Sequence, residues 1–155
     1  MWGGLLFISG LVLMLASSGH KLVSPLMRKL VIRSDAMGNG AWHAPRGNRL
    51  HKGIDFEVGK GAAVFAPISG EMHYVYPYRD DHSYGGVQIQ GDELEVRIYY
   101  MKPFINPGQS RKVGAGEQIG TAQSISQKYG ASMQDHLHVE ILQKGQWIDP
   151  TNYFL

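Results

Sequence analysis

Apolar and polar residues alternate in short runs along most of the chain, the period of strands that bury one face. AAVFAP (62–67) reads as a strand ended by Pro67, Ser69-Gly70 as a tight turn, and EMHYVY (71–76) as the strand returning beside it. GVQIQ (86–90) and LEVRIYYM (94–101) alternate on either side of Gly91-Asp92, which marks a second hairpin. HLHVEIL (136–142) alternates again, and Gly145 turns it into QWI (146–148). Glycine, proline and polar residues gather in 36–50, 77–85, 103–110 and 122–134. These are predicted as long loops, with a helical turn expected only in 122–134. The pattern predicts a mainly β fold: an antiparallel β-sheet domain whose long loops surround a site.

The first residues break the pattern. Trp2–Ala16, WGGLLFISGLVLMLA, is almost continuously apolar. Its length falls short of the ~20 residues of a bilayer span and suits the ~7–15 of a signal-peptide core. Ser17, Ser18 and Gly19 follow as small residues suited to cleavage. No Lys or Arg precedes the run, however, while Lys21, Arg28, Lys29 and Arg33 follow it, the reverse of the usual export orientation. The expectation is an N-terminal apolar helix over 1–19 that is signal-like or anchors the chain to a membrane. A buried core helix is the competing reading. HKLVSPLMRKLVIRSD (20–35), basic and interrupted by Pro25, reads as a linker, and 36–155 as one globular domain. Such a protein is expected to be membrane-associated or exported, at the periplasm, a cell surface or a phage particle.

Composition removes other classes. Hydrophobic residues at 43% and charged residues at 18% suit a folded domain, and 20 Gly and 7 Pro suit many turns. A formal net charge of +2, with no basic stripe interleaved with aromatics, gives no nucleic-acid surface. The absence of cysteine excludes disulfides, thiolate-bound zinc and a lipid-modified cysteine anchor.

Three of the seven histidines fall into two tight patterns. In HKGID (51–55), His51 and Asp55 would share one face of a strand, with Gly53 leaving that face open and Ile54 turned to the core. In HLHVE (136–140), His136 and His138 share a face while Leu137 and Val139 are buried. Two imidazoles and one carboxylate make a three-ligand zinc site with a fourth position left for water, which is the arrangement of catalytic zinc. Such a site brings the pKa of bound water to about 7 and leaves a general base and an oxyanion donor to be supplied. His43 and His82 lie in loops that reach toward such a site, whereas His73 reads as structural and His20 as linker. Glu140 shares the face of His136 and His138 but reads as a solvated rim carboxylate. Trp42 and Tyr84 either line a substrate groove or pack their loops.

At these residues the sequence resembles the lysostaphin/LytM-type zinc metalloendopeptidases. HKGIDF, GAAVFAPISGEM, GGVQIQ, VGAGEQIG, DHLHVEI and IDPTNYF occur in that family's order, over roughly residues 38–155. The resemblance implies the duplicated hybrid motif fold, with Zn2+ held by His51, Asp55 and His138 and with His136 as the non-ligand histidine acting on the water or the intermediate. It also implies the peptide cross-links of bacterial peptidoglycan as substrate, with other envelope or virion proteins as further candidate partners. GNGAWHAPRGNRLHKGID (38–55) and YYMKP (99–103) are similar to the family's leukocyte cell-derived chemotaxin branch, a non-peptidase branch with the same zinc site. That branch is disulfide-bonded, so a cysteine-free chain points to a bacterial or phage-borne relative. Active members carry a Tyr-x-His strand motif, and here Tyr100-Met101-Lys102 puts Lys102 where the histidine is expected. A lysine, with a reference pKa of about 10.4, is a cation that can hold an oxyanion but must be strongly shifted to act as a base. A snorkelling surface lysine is the other reading of Lys102. Three functions follow: an endopeptidase, a zinc-containing binding module without turnover, or a structural membrane-associated component.

Overall fold

The computed structural model describes residues 21–155; the predicted apolar helix and His20 lie outside the described residues. Two short ribbons come first, β1 (Ser34–Asp35) with β2 (Gly38–Asn39), and β3 (Pro45–Arg46) with β4 (Arg49–Leu50). Then follow β5 (Ile54–Glu57), β6 (Ala63–Phe65), β7 (Gly70–Val75), β8 (Gly85–Gln90) and β9 (Leu94–Pro103). The chain ends with β10 (Ser110–Val113), β11 (Gln118–Ala122), α1 (Ser126–Tyr129), β12 (His136–Gln143), β13 (Gln146–Ile148) and α2 (Thr151–Phe154). Among the described residues no helix is long and apolar enough to cross a membrane.

Nine strands form one antiparallel sheet along the path β10-β7-β8-β9-β11-β6, with β12 joined to β9. One edge of β12 lies along β9, and the other is shared by β5 at its start and β13 at its end. Cross-strand partners stand on the same face, so the register sorts the sheet into rows. Met72, Ile89, Val96 and Ile141 form one core row, and Val87, Ile98, Val139 and Ile54 the next. All of these side chains are fully buried. The opposite face carries Gly86, Tyr99, His138 and Asp55 in one row and Gln88, Arg97 and Glu140 in its neighbour. Alternation therefore gives the sheet an apolar core face and a polar, histidine-bearing face.

Several expectations are corrected. β6 and β7 do not form a hairpin: β6 pairs with β11, and β7 with β8 and β10. Between them Ala66 donates to Glu117 O (2.9 Å), and Phe65, on β6, donates to Pro25 O (3.0 Å), so the backbone groups near Pro67 are satisfied elsewhere. β10, β11 and α2 lie in stretches with no predicted element. The β8–β9 register slips between Gly85 and Gly86, leaving Tyr100 as an extra residue at φ 67°. This bulge reverses the parity of the strand, so that Met101 rather than Tyr100 enters the core.

The segment read as a linker is packed onto the sheet. Leu26 and Arg33 are buried, Leu22, Leu30 and Ile32 rest on the core, and Ile32 bridges to Phe56. Leu22 also donates to Tyr153 O at 3.0 Å, tying this segment to α2, whose Phe154 meets Phe56 edge-on at 5.7 Å. The apolar residues at 22, 26, 30 and 32 bury against the core despite the charges between them.

Candidate metal centre

The register sets Asp55 directly opposite His138, with Tyr99 on the other side of His138. His51 does not share a strand with Asp55, because β5 begins only at Ile54. It reaches the row from the preceding loop, where its N–H donates to Ala44 O at 3.0 Å and its carbonyl accepts from His43 N at 3.0 Å. Gly53 permits this close return. A Cβ there would stand 2.4 Å from Val139 O and 2.8 Å from His138 Cε1.

Hydrogen bonds fix which ring atoms face inward. His51 Nδ1–H donates to Ala41 O at 2.8 Å, which turns the Nε2 lone pair toward Asp55 Oδ1 at 3.2 Å and His138 Nδ1 at 3.0 Å. His138 Nε2–H donates to Glu140 Oε1 at 3.1 Å, so its Nδ1 is the atom that meets Asp55 Oδ1 at 2.8 Å. One ligand atom from each of His51, Asp55 and His138 thus lies within 4.8 Å of the others. Two nitrogen lone pairs and a carboxylate oxygen aimed at one point can hold a cation, and the donor set suits zinc. With no metal bound, a proton on His138 can answer the same acceptors. Burial opposes the charged form of His138, but the Asp55 and Glu140 hydrogen bonds outweigh it and raise the imidazole to about 9. Burial likewise opposes the Asp55 anion, yet the hydrogen bond from protonated His138 and the positive charge it carries hold its carboxyl well below the usual carboxylate range.

His136 is buried beside this group without belonging to it. Its Nδ1–H donates to Gln134 O at 2.7 Å, leaving the Nε2 lone pair 3.8 Å from Asp55 Oδ2. Burial lowers its pKa, against the pull of the Asp55 charge, which keeps the ring neutral and able to accept a proton. Tyr100, turned to this face by the bulge, sets its ring perpendicular to His136 at 5.2 Å, and Tyr99 stacks on His138 at 5.9 Å. Burial pushes the Tyr100 phenol up to about 12.

The other predicted residues divide. Glu140 is not a solvated rim carboxylate: it is largely buried, bonded to His138 and, through Oε2, to Trp147 Nε1 at 3.0 Å. Lys102 lies beyond the bulge, paired by its backbone with Thr121, its side chain exposed. None of the hydrogen bonds that build the cluster involves it. His43 stacks on Trp42 at 4.3 Å, His82 stacks on Tyr76 at 4.1 Å, and His73 is a half-buried strand residue. Tyr84 is buried, its hydroxyl donating to Ser124 O at 3.0 Å. Of the predicted groove-forming loops, 77–85 lines an open cavity of about 580 Å³ that also includes Arg97 and Tyr99.

The order of these residues matches the model of Peptidase family M23 over residues 49–150. The chain belongs to peptidase family M23. Among curated relatives of this M23 chain, leukocyte cell-derived chemotaxin-2 of Mus musculus is 34% identical over 121 residues, covering 77% of the chain and 76% of the relative. The structure of lysostaphin from Staphylococcus simulans superposes with a TM-score of 0.63 at 17% identity, over 88% of the chain and 55% of lysostaphin. The catalytic domain of the prophage-encoded M23 protein EnpA from Enterococcus faecalis does so with a TM-score of 0.54 at 23% identity, over 85% of the chain and 95% of that domain. At these identities the two superpositions establish the shared fold, a mainly antiparallel β domain of the lysostaphin type.

Proposed function

We propose that this M23 chain is a zinc-dependent endopeptidase that hydrolyses peptide cross-links of bacterial peptidoglycan. The observation that carries the reading is the cluster itself. His51 Nε2, Asp55 Oδ1 and His138 Nδ1 converge, while His136, neutral and excluded from the set, presents Nε2 beside it. His51, Asp55 and His138 would hold the zinc, which when bound supplies Lewis acidity and an activated water. His136 Nε2 would accept a proton during attack on the amide and return it to the leaving amine, its tautomer held by Gln134 O. Tyr99 and Tyr100 pack the two imidazoles into fixed orientations and exclude solvent from one side. Lys102, exposed at the end of the strand that carries both tyrosines, would offer a cation to developing negative charge. The apolar run at 2–16 supports action at an envelope, by an exported or membrane-attached protein.

A second reading has its own support. Lys102 stands outside the hydrogen-bonded cluster, and the likeness to chemotaxin-2 extends over most of both chains. On that reading the chain keeps zinc and binds wall fragments or a protein partner without turnover. The deciding experiment incubates the zinc-loaded full chain with purified sacculi of several cross-link types and follows released fragments by mass spectrometry. Fragments that disappear on chelation and with His136→Ala support the endopeptidase. Zinc bound one to one with no release from any wall, and release gained by Lys102→His, would establish the binding module instead.

A further inference from the structure

We propose that Arg33 is a positioning residue that makes Asp55 a one-oxygen metal ligand and, through Asp35 and Gln134, fixes His136 in the same frame. The inference rests on the metal-site reading above and adds to it a residue from outside the matched family segment. Arg33 is 2% exposed. Its Nη2 and Nε donate to Asp55 Oδ2 at 3.1 and 3.3 Å, and Arg46 Nη2 adds a longer contact to the same oxygen at 3.4 Å. Oδ1 is left to face His51 Nε2 at 3.2 Å and His138 Nδ1 at 2.8 Å. The two oxygens are thus divided, one to guanidinium and one to the converging ligands. A carboxylate free at both oxygens can close on a metal through both and occupy the position that a catalytic site keeps open. The fork of Arg33 prevents this by geometry, which a point-charge ammonium matches poorly.

The same guanidinium reaches the other histidine. Arg33 Nη1 donates to both oxygens of Asp35 at 2.7 Å. Asp35 Oδ2 accepts the Gln134 N–H at 2.8 Å, and Gln134 O accepts His136 Nδ1–H at 2.7 Å. Arg33 is therefore shared between two carboxylates, one aligning a ligand and the other holding the backbone that sets the tautomer of the neutral histidine. Gly40 admits this arrangement, since a Cβ there would lie 2.6 Å from Asp55 Cβ and 3.2 Å from Arg33 Cβ.

The test uses cobalt(II) in the full chain, because its visible absorption is strong when four-coordinate and weak when the coordination number rises. Wild type is expected to take up one cobalt with the strong spectrum. Arg33→Gln is expected to give a spectrum weakened several-fold, with zinc affinity reduced about 10–100-fold in competition with a chromophoric chelator. A loss of folding stability alone would change the occupancy but not the spectrum of the bound ion. Should Arg33→Gln fail to fold, Arg33→Lys keeps the charge without the fork and is expected to weaken the spectrum in the same sense. A variant spectrum identical to wild type at full occupancy overturns the proposal and leaves the metal site standing. Failure of wild type to bind cobalt or zinc stoichiometrically overturns both.

Discussion

Glu140 decides the chemistry of a residue it does not replace. By accepting from His138 Nε2–H it commits the opposite nitrogen to the centre, and by accepting from Trp147 it is itself held. Glu140→Gln retains an acceptor but loses the charge, and Glu140→Ala loses both. The expected order of zinc affinity is wild type, then Gln, then Ala, with the alanine variant down about 10–100-fold by chelator competition. Equal affinities for all three would remove Glu140 from the centre. The pH dependence follows from the same bonds. His138 titrates near 9 in the metal-free chain, above its ordinary value of 6.5, so its proton stabilises the fold fully below 6.5 and this contribution is lost as pH rises through about 9. Zinc must displace that proton, so affinity should climb with pH and level off above about 9. Calorimetric titration in buffers of different ionisation enthalpy would count the proton released at neutral pH. The i, i+2 spacing of 136, 138 and 140 made the shared face legible. The burial of Glu140 was not, because it depends on Trp147 across the hairpin, itself capped by Lys52 Nζ at 3.9 Å from its ring.

At the scale of elements, the strands that were legible mostly bury one face against the core: β8, the start of β9 and β12 keep the alternation that burial imposes, while β13 was legible from the turn at Gly145. What could not be read is where alternation stops governing. β10 reads SRKV and β11 reads QIGTA, runs too short or too mixed to carry a period, and they become strands because β7, β6 and β9 offer open edges. The bulge at Tyr100 is equally silent in LEVRIYYM, yet it places Tyr100 against His136 and holds a bulky residue at positive φ. Conformations of this kind cost about 1–3 kcal/mol and cluster at functional sites. Gly53, expected from the sequence to leave a strand face open, is instead packed against β12 ahead of β5, and its missing side chain is what permits that contact. Gly53→Ala would force its Cβ against Val139 O and His138. Overpacking of this order costs about 1–3 kcal/mol. Thermal unfolding should report the loss, and zinc affinity should fall with it. An unchanged melting temperature and affinity would show that the loop can move aside freely.

Across the whole molecule, the candidate metal centre draws on chain that the family match does not include. The match begins at residue 49, yet Asp55 is bonded to Arg33, and the core is closed in part by Leu26, Leu30 and Ile32. Pro25 and the surrounding charges made this segment look like a linker, and local pattern could not reveal otherwise. Leu22, Leu26 and Leu30 stand four apart and Ile32 two further on, yet the stretch 22–32 forms no helix and only an isolated bridge at Ile32, its apolar side chains following the outline of a finished core. The consequence is measurable by comparing chains that begin at residue 21 and at residue 36. Removing 21–35 strips Asp55 of a buried guanidinium, and breaking a buried pair costs about 3–5 kcal/mol. It also exposes apolar surface beneath Leu26, for which burial of one such side chain is worth about 1.5–3 kcal/mol. Together these approach the roughly 5–15 kcal/mol by which domains are stable. The chain from residue 36 should therefore melt at much lower temperature or fail to fold, and should bind zinc weakly at best. The chain from residue 21 should fold and bind one zinc. Equal melting temperatures and equal zinc affinities for the two would mean that the segment rests on the domain without supporting it, and that the centre is complete from residue 36 onward.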